Sequence, residues 1–139
     1  MQILKRLIEE KLESRIGPGK AVILLGPRRV GKTFLLQTFL AKVREPYLLW
    51  SGEDTSLWKI LEERSIIRYR SIIGNIRLLI IDEAQKIQEV GAVLKLMLDH
   101  IPGLKISATG SSAFDLRRVL GEPLPGRTWT LRLFALYEQ

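Results

Sequence analysis

Gly26-Pro27-Arg28-Arg29-Val30-Gly31-Lys32-Thr33 fits the pattern G-x-x-x-x-G-K-[ST]. Each position answers a physical need. The glycines let the backbone fold back so that several amide N–H groups face one phosphate. A helix that opens straight after the loop adds the positive end of its dipole at the same place. Lys32 reaches β- and γ-phosphates as a mobile point charge, and the Thr33 hydroxyl completes the shell of a Mg²⁺ ion. The expected phosphate-binding stretch is Gly26, Pro27, Arg28, Arg29, Val30, Gly31, Lys32, Thr33 and Phe34. Chance produces such a match in a chain of this length about once in 200. Arg28 and Arg29 fill the variable part of the loop and read as a solvated basic tip.

A second constellation follows the apolar run Leu78-Leu79-Ile80-Ile81, namely Asp82-Glu83. Ligands of open parallel sheets bind beyond the C-terminal strand ends. Asp82 is therefore expected in the same crevice as the phosphate loop, holding Mg²⁺ through water, because Mg²⁺ keeps several of its waters. Glu83 is expected to polarise a water for in-line attack on a γ-phosphorus. Further on, Thr109-Gly110-Ser111-Ser112 places small hydroxyls after another apolar run. Ser111 or Ser112 is expected to sense the γ-phosphate or the attacking water, or to cap the next helix; one serine can do both.

These residues need strands and helices to hold them. Ala21–Leu25 reads as a buried strand, Thr33–Val43 as a helix and Tyr47–Trp50 as a second strand, after Pro46 stops the helical pattern. Leu57–Ile67 is expected as one helix, Leu78–Ile81 as a third strand, and Val90–Ile101 as a helix closed by Pro102-Gly103. Leu104–Ala108 reads as a fourth strand, Phe114–Leu120 as a short helix and Trp129–Phe134 as a fifth strand. Ahead of them, residues 3 to 15 carry apolar side chains at helical spacing and end at Gly17-Pro18-Gly19. Short apolar strands alternating with helices imply an α/β, three-layer domain with a mainly parallel sheet covered on both faces. A single domain spans 1–139, with an amphipathic N-terminal helix and linker at 1–19 and the nucleotide-binding sheet and helices at 20–139.

Composition narrows the chemistry. The 139 residues are 46% hydrophobic and 27% charged, a globular balance. There is no cysteine, which excludes disulfides, thiolate metal sites and a cysteine nucleophile. A single histidine, His100, argues against zinc chemistry and a histidine triad. The net charge of +7 suits phosphate-bearing partners and leaves nucleic acid open as one. No apolar run approaches the roughly 20 residues of a membrane span. The N-terminus lacks the apolar core of a signal peptide, so no membrane partner and a cytoplasmic location are expected.

Gly-Pro-Arg-Arg-Val-Gly-Lys-Thr at 26–33, Ile-Ile-Asp-Glu-Ala-Gln-Lys at 80–86, Ala-Thr-Gly-Ser-Ser at 108–112 and Leu-Pro-Gly-Arg-Thr at 124–128 occur in this order. Together they resemble the P-loop ATPase domain of prokaryotic AAA-type proteins, the kind usually followed by a C-terminal domain of unknown function. The resemblance implies ATP and Mg²⁺ as cofactors and a five-stranded P-loop NTPase fold of order 5-1-4-3-2, with Leu104–Ala108 as the strand between the loop strand and the acidic strand. It implies Lys32 and Thr33 at the phosphates and metal, Asp82 at Mg²⁺, Glu83 as the base, and Ser111 or Ser112 as the sensor. It places an arginine finger at Arg127, before the fifth strand, serving a neighbouring copy in a homo-oligomer; Arg117 and Arg118 are rivals. Such domains normally add a helical lid after the sheet; no lid is expected within these 139 residues, which leaves a fragment, a minimal version or a lid replaced by a partner as the readings.

The expected function is Mg²⁺-dependent binding and hydrolysis of ATP that drives a conformational or assembly change. The competing readings are a non-hydrolysing ATP switch or incomplete piece, a small-molecule kinase and a charge-driven nucleic-acid binder. Glu83 argues against the kinase, which has no need of it. The basic residues are scattered and lack an aromatic-basic motif, which argues against the last. Gln85, after Asp-Glu-Ala, resembles the D-E-x-x box of helicases, whose other motifs are missing.

Overall fold

The computed structural model describes residues 16–25, 32–110 and 128–132; nothing is said of the others, nor of the side chains at 25, 32–36 and 128–132. Strand β1 spans Lys20–Leu25, helix α1 Lys32–Lys42, strand β2 Leu48–Ser51, helix α2 Thr55–Glu62 and helix α3 Ile66–Ile73. Strand β3 spans Leu78–Asp82, a 3₁₀ turn Ala84–Lys86, helix α4 Val90–His100, strand β4 Lys105–Gly110 and strand β5 Thr128–Arg132. The expected helices at 3–15 and 114–120 lie outside the described residues.

The five strands form one sheet in the order β2-β3-β4-β1-β5, and each pairing is parallel. Read from the β5 edge this is 5-1-4-3-2. β4 lies between β1 and β3, so the loop strand and the acidic strand are separated by one strand. The chain reaches the β2 edge from β1 through α1, then returns β2 to β3 to β4 through α2, α3 and α4. Right-handed crossovers in opposite directions put the connecting helices on opposite faces.

Burial agrees with that argument. Ala21 to Leu24 of β1 and Leu78 to Ile81 of β3 are all buried, the continuous pattern of strands covered on both sides. Ala21, Ile23, Leu79, Ile81, Ile106 and Ala108 share one core with Leu57 and Leu61 of α2, Tyr69 and Ile73 of α3, and Val93, Leu94 and Met97 of α4. Alternate strand residues face the other way. On that second face Phe39 of α1 and Leu78 line a cavity of about 610 Å³ together with Lys105.

One expectation is corrected. The single helix predicted at Leu57–Ile67 is two helices, α2 and α3. Arg64 sits between them at φ 52°. Ser65 then caps α3 by accepting from the Arg68 amide at 3.1 Å. Arg64 is held by Glu89, itself at φ 52°, through an Nη2···Oε2 contact of 2.6 Å. A left-handed arginine leaves no mark in an apolar periodicity, whereas Ser65 is a cap-type residue inside the stretch and was a readable signal. Strand β4 also runs further than expected, through Thr109 and Gly110.

Candidate active site

The site is built at the C-terminal ends of the parallel strands. Ile81 is level with Ala108, and Ala108 with Ile23. One step on, Asp82 stands beside Thr109, which is level with Leu24. On its other side Asp82 is level with Ser51 of β2. Leu25 ends β1 at the same end of the sheet as Asp82, and the motif expected to bind phosphate follows it in sequence. Asp82 and Thr109 share strand parity with Leu78 and Lys105, which places them on the α1 face.

Asp82 is oriented by its neighbours. The Thr109 hydroxyl donates to Asp82 Oδ1 at 2.5 Å, and the Glu83 amide donates to the same oxygen at 3.1 Å. The Glu83 amide also donates to Thr109 Oγ1 at 3.1 Å. Thr109 is fully buried, so these bonds act with little competition from water. Both hydrogen bonds to the carboxylate fall on Oδ1. Among the described residues none falls on Oδ2. An oriented carboxylate oxygen is chemically suited to the water-mediated hold on Mg²⁺ expected of Asp82. Among the described residues no group of three or more His, Cys, Asp or Glu clusters as a metal cage.

Glu83 takes φ 53°, ψ 46° directly after the strand, turning the chain into the 3₁₀ turn. Its carbonyl oxygen accepts from the Lys86 amide at 3.1 Å. Its Oε2 accepts from Gln85 Nε2 at 2.6 Å. The turn after β2 is pressed onto the same place. The Gly52 amide donates to the Asp82 carbonyl at 2.7 Å, and the Gly52 carbonyl accepts from Trp58 Nε1 at 2.6 Å. Trp58 and Trp50 pack partly buried against the core.

The backbone of Lys32, Thr33 and Phe34 opens α1, while nothing is described of their side chains. Gly26, Pro27, Arg28, Arg29, Val30, Gly31, Ser111, Ser112 and Arg127 lie outside the described residues. Sequence reasoning left Thr109 and Gly52 without a role. Thr109 carried a visible signal, a hydroxyl on the strand beside the acidic one. Gly52 carried none, because its need arises from a backbone 31 positions away in sequence.

The family model for the AAA domain matches residues 18–138. The chain belongs to the AAA domain family. Its parallel α/β sheet is compatible with the P-loop NTPase fold of that family. This AAA domain is 27% identical over 134 residues to the uncharacterized protein MJ1544 of Methanocaldococcus jannaschii, covering 94% of the chain and 30% of that protein. The chain thus spans under a third of the length of that relative. Its fold resembles the crystal structure of the flagellar accessory protein FlaH from the same organism, with a TM-score of 0.51 and 16% identity, over 88% of this chain and 76% of that one. No helix among the described residues is long and apolar enough to cross a membrane.

Proposed function

We propose that this AAA domain binds ATP with Mg²⁺ and hydrolyses it, using the change to drive a conformational or assembly step. The observation that carries the reading is the pairing of an anchored Asp82 with Glu83 at the C-terminal end of β3, one strand removed from the strand that precedes the glycine-rich motif. Asp82 holds Mg²⁺ through water together with the Thr33 hydroxyl. Lys32 and backbone N–H groups among residues 26 to 34, Pro27 having none, bind the phosphates. Glu83 accepts a proton from the water that attacks the γ-phosphorus. Ser111 or Ser112 senses the γ-phosphate, and Arg127 reaches the nucleotide of a neighbouring copy. Bound Mg²⁺ supplies neutralisation of the charge that builds on the phosphates.

The test is the rate of ATP hydrolysis per protomer, with Mg²⁺, over a wide range of protein concentration. A rate that climbs with concentration and collapses in Arg127→Ala supports an assembling ATPase with a finger in trans. Clear ATP binding with no turnover at any concentration leaves a nucleotide switch instead.

A further inference from the structure

The backbone of Glu83 is fixed from several directions. Its amide is shared between Asp82 Oδ1 and Thr109 Oγ1, its carbonyl is bonded to the Lys86 amide, and Gly52 lies against it. The remaining freedom is in the side chain, a carboxylate at the end of three rotatable bonds. Gln85 takes up that freedom through the 2.6 Å bond from Nε2 to Glu83 Oε2. The 3₁₀ turn carries the Gln85 amide back over the carboxylate two residues earlier.

The other end of the same amide is informative. Gln85 Oε1 is buried and has no hydrogen-bond partner among the described residues. Leaving a buried carbonyl oxygen unpaired is unfavourable. Turning the amide over would not help, because Oε1 would then face a carboxylate that only accepts. Glu83 therefore dictates how the amide sits. A methionine here would fill the same space with no unpaired oxygen. The polar side chain is thus poorly explained by stability and well explained by its grip on Glu83.

We propose that Gln85 is a positioning residue, holding the Glu83 carboxylate in the orientation from which it takes the proton of the attacking water. The assignment rests on the hydrolytic reading above. A donor bonded to one carboxylate oxygen leaves the second oxygen to face the water and restricts the rotamers over which it would otherwise spread.

The test uses the whole chain with ATP and Mg²⁺. Gln85→Met keeps the length and removes the amide. The expected result is a kcat lower by about tenfold or more, with Kd for ATP and the thermal midpoint unchanged. In the nucleotide-free protein, the side-chain amide signal of Gln85 should lie downfield, as expected for a charge-assisted bond, and should move back in Glu83→Gln. An unchanged kcat overturns the proposal, as does a fall in kcat that tracks lost ATP affinity or stability. An amide signal at its ordinary position, indifferent to Glu83→Gln, overturns it as well. Wild-type protein that binds ATP without turning it over instead overturns the hydrolytic reading and the catalytic use of the grip with it, while the amide signal still decides whether the grip exists.

Discussion

A Cβ on Gly52 would stand 1.9 Å from the carbonyl oxygen of Glu83 and 2.8 Å from its carbonyl carbon. The neighbour is backbone, so it cannot swing away as a side-chain tip would. The turn after β2 and the acidic end of β3 therefore touch at a spot that only glycine fits. Gly52→Ala should push Asp82 and Glu83 out of place. The expected result is a loss of about 1–3 kcal/mol in urea unfolding, the usual scale of overpacking, together with a fall in ATP hydrolysis. A variant with wild-type midpoint and turnover would contradict the contact.

Thr109 donates to Asp82 and accepts from the Glu83 amide. Thr109→Val keeps the shape and removes both bonds. Stability should fall by about 1 kcal/mol because the bonds of Thr109 to Asp82 and to the Glu83 amide are lost. The Mg²⁺ concentration for half-maximal hydrolysis should rise, since the Asp82 carboxylate loses its anchor. Thr109→Ser should recover most of both. The check is a Mg²⁺ titration of activity on all three proteins.

Glu83→Gln keeps size and removes the base. Hydrolysis should fall by about 10²- to 10⁴-fold, with ATP binding retained as measured by calorimetry. Loss of binding in step with activity would assign Glu83 to nucleotide retention.

Tyr69 is fully buried, and its hydroxyl donates to the Leu61 carbonyl at 2.5 Å, joining α3 to the end of α2. Burial pushes its phenol above the ordinary value of 10.0. The folded state then binds the proton more tightly than the unfolded chain does. Its contribution is whole below the unfolded value and is lost as pH climbs through the folded one. Stability should therefore drop above about pH 10 in the wild type, and that part of the drop should vanish in Tyr69→Phe. Near neutral pH the same variant should cost about 1 kcal/mol for the lost bond. Denaturant midpoints against pH check both.

The places where sequence reasoning fell short share a cause. The split between α2 and α3 depends on a left-handed Arg64 braced by Glu89 from the start of α4, and no local pattern encodes a brace from 25 residues away. The length of β4 was underestimated because Thr109 and Gly110 look like turn residues. Pairing with Leu24 and Leu25 of β1 draws them into the sheet. Thr109, Gln85 and Gly52 gain their roles from what lies across from them rather than from their own type.

The amino-acid sequence by itself determined the family, an AAA domain. A phosphate loop needs its glycines, lysine and threonine in a fixed local order, because one turn of backbone must wrap one phosphate, and local chemistry of that kind survives as a readable string. The alternation of short apolar strands with helices likewise follows from local burial, and it specified a parallel α/β sheet. Only the tertiary structure decided which residues orient Asp82 and Glu83. That choice depends on strand register, which brings Thr109 beside Asp82, and on a turn from the sheet edge that presses Gly52 against Glu83. Register and edge contacts are settled by packing across the whole sheet, where each residue's neighbours are distant in sequence, so their chemistry appears only once the chain has folded.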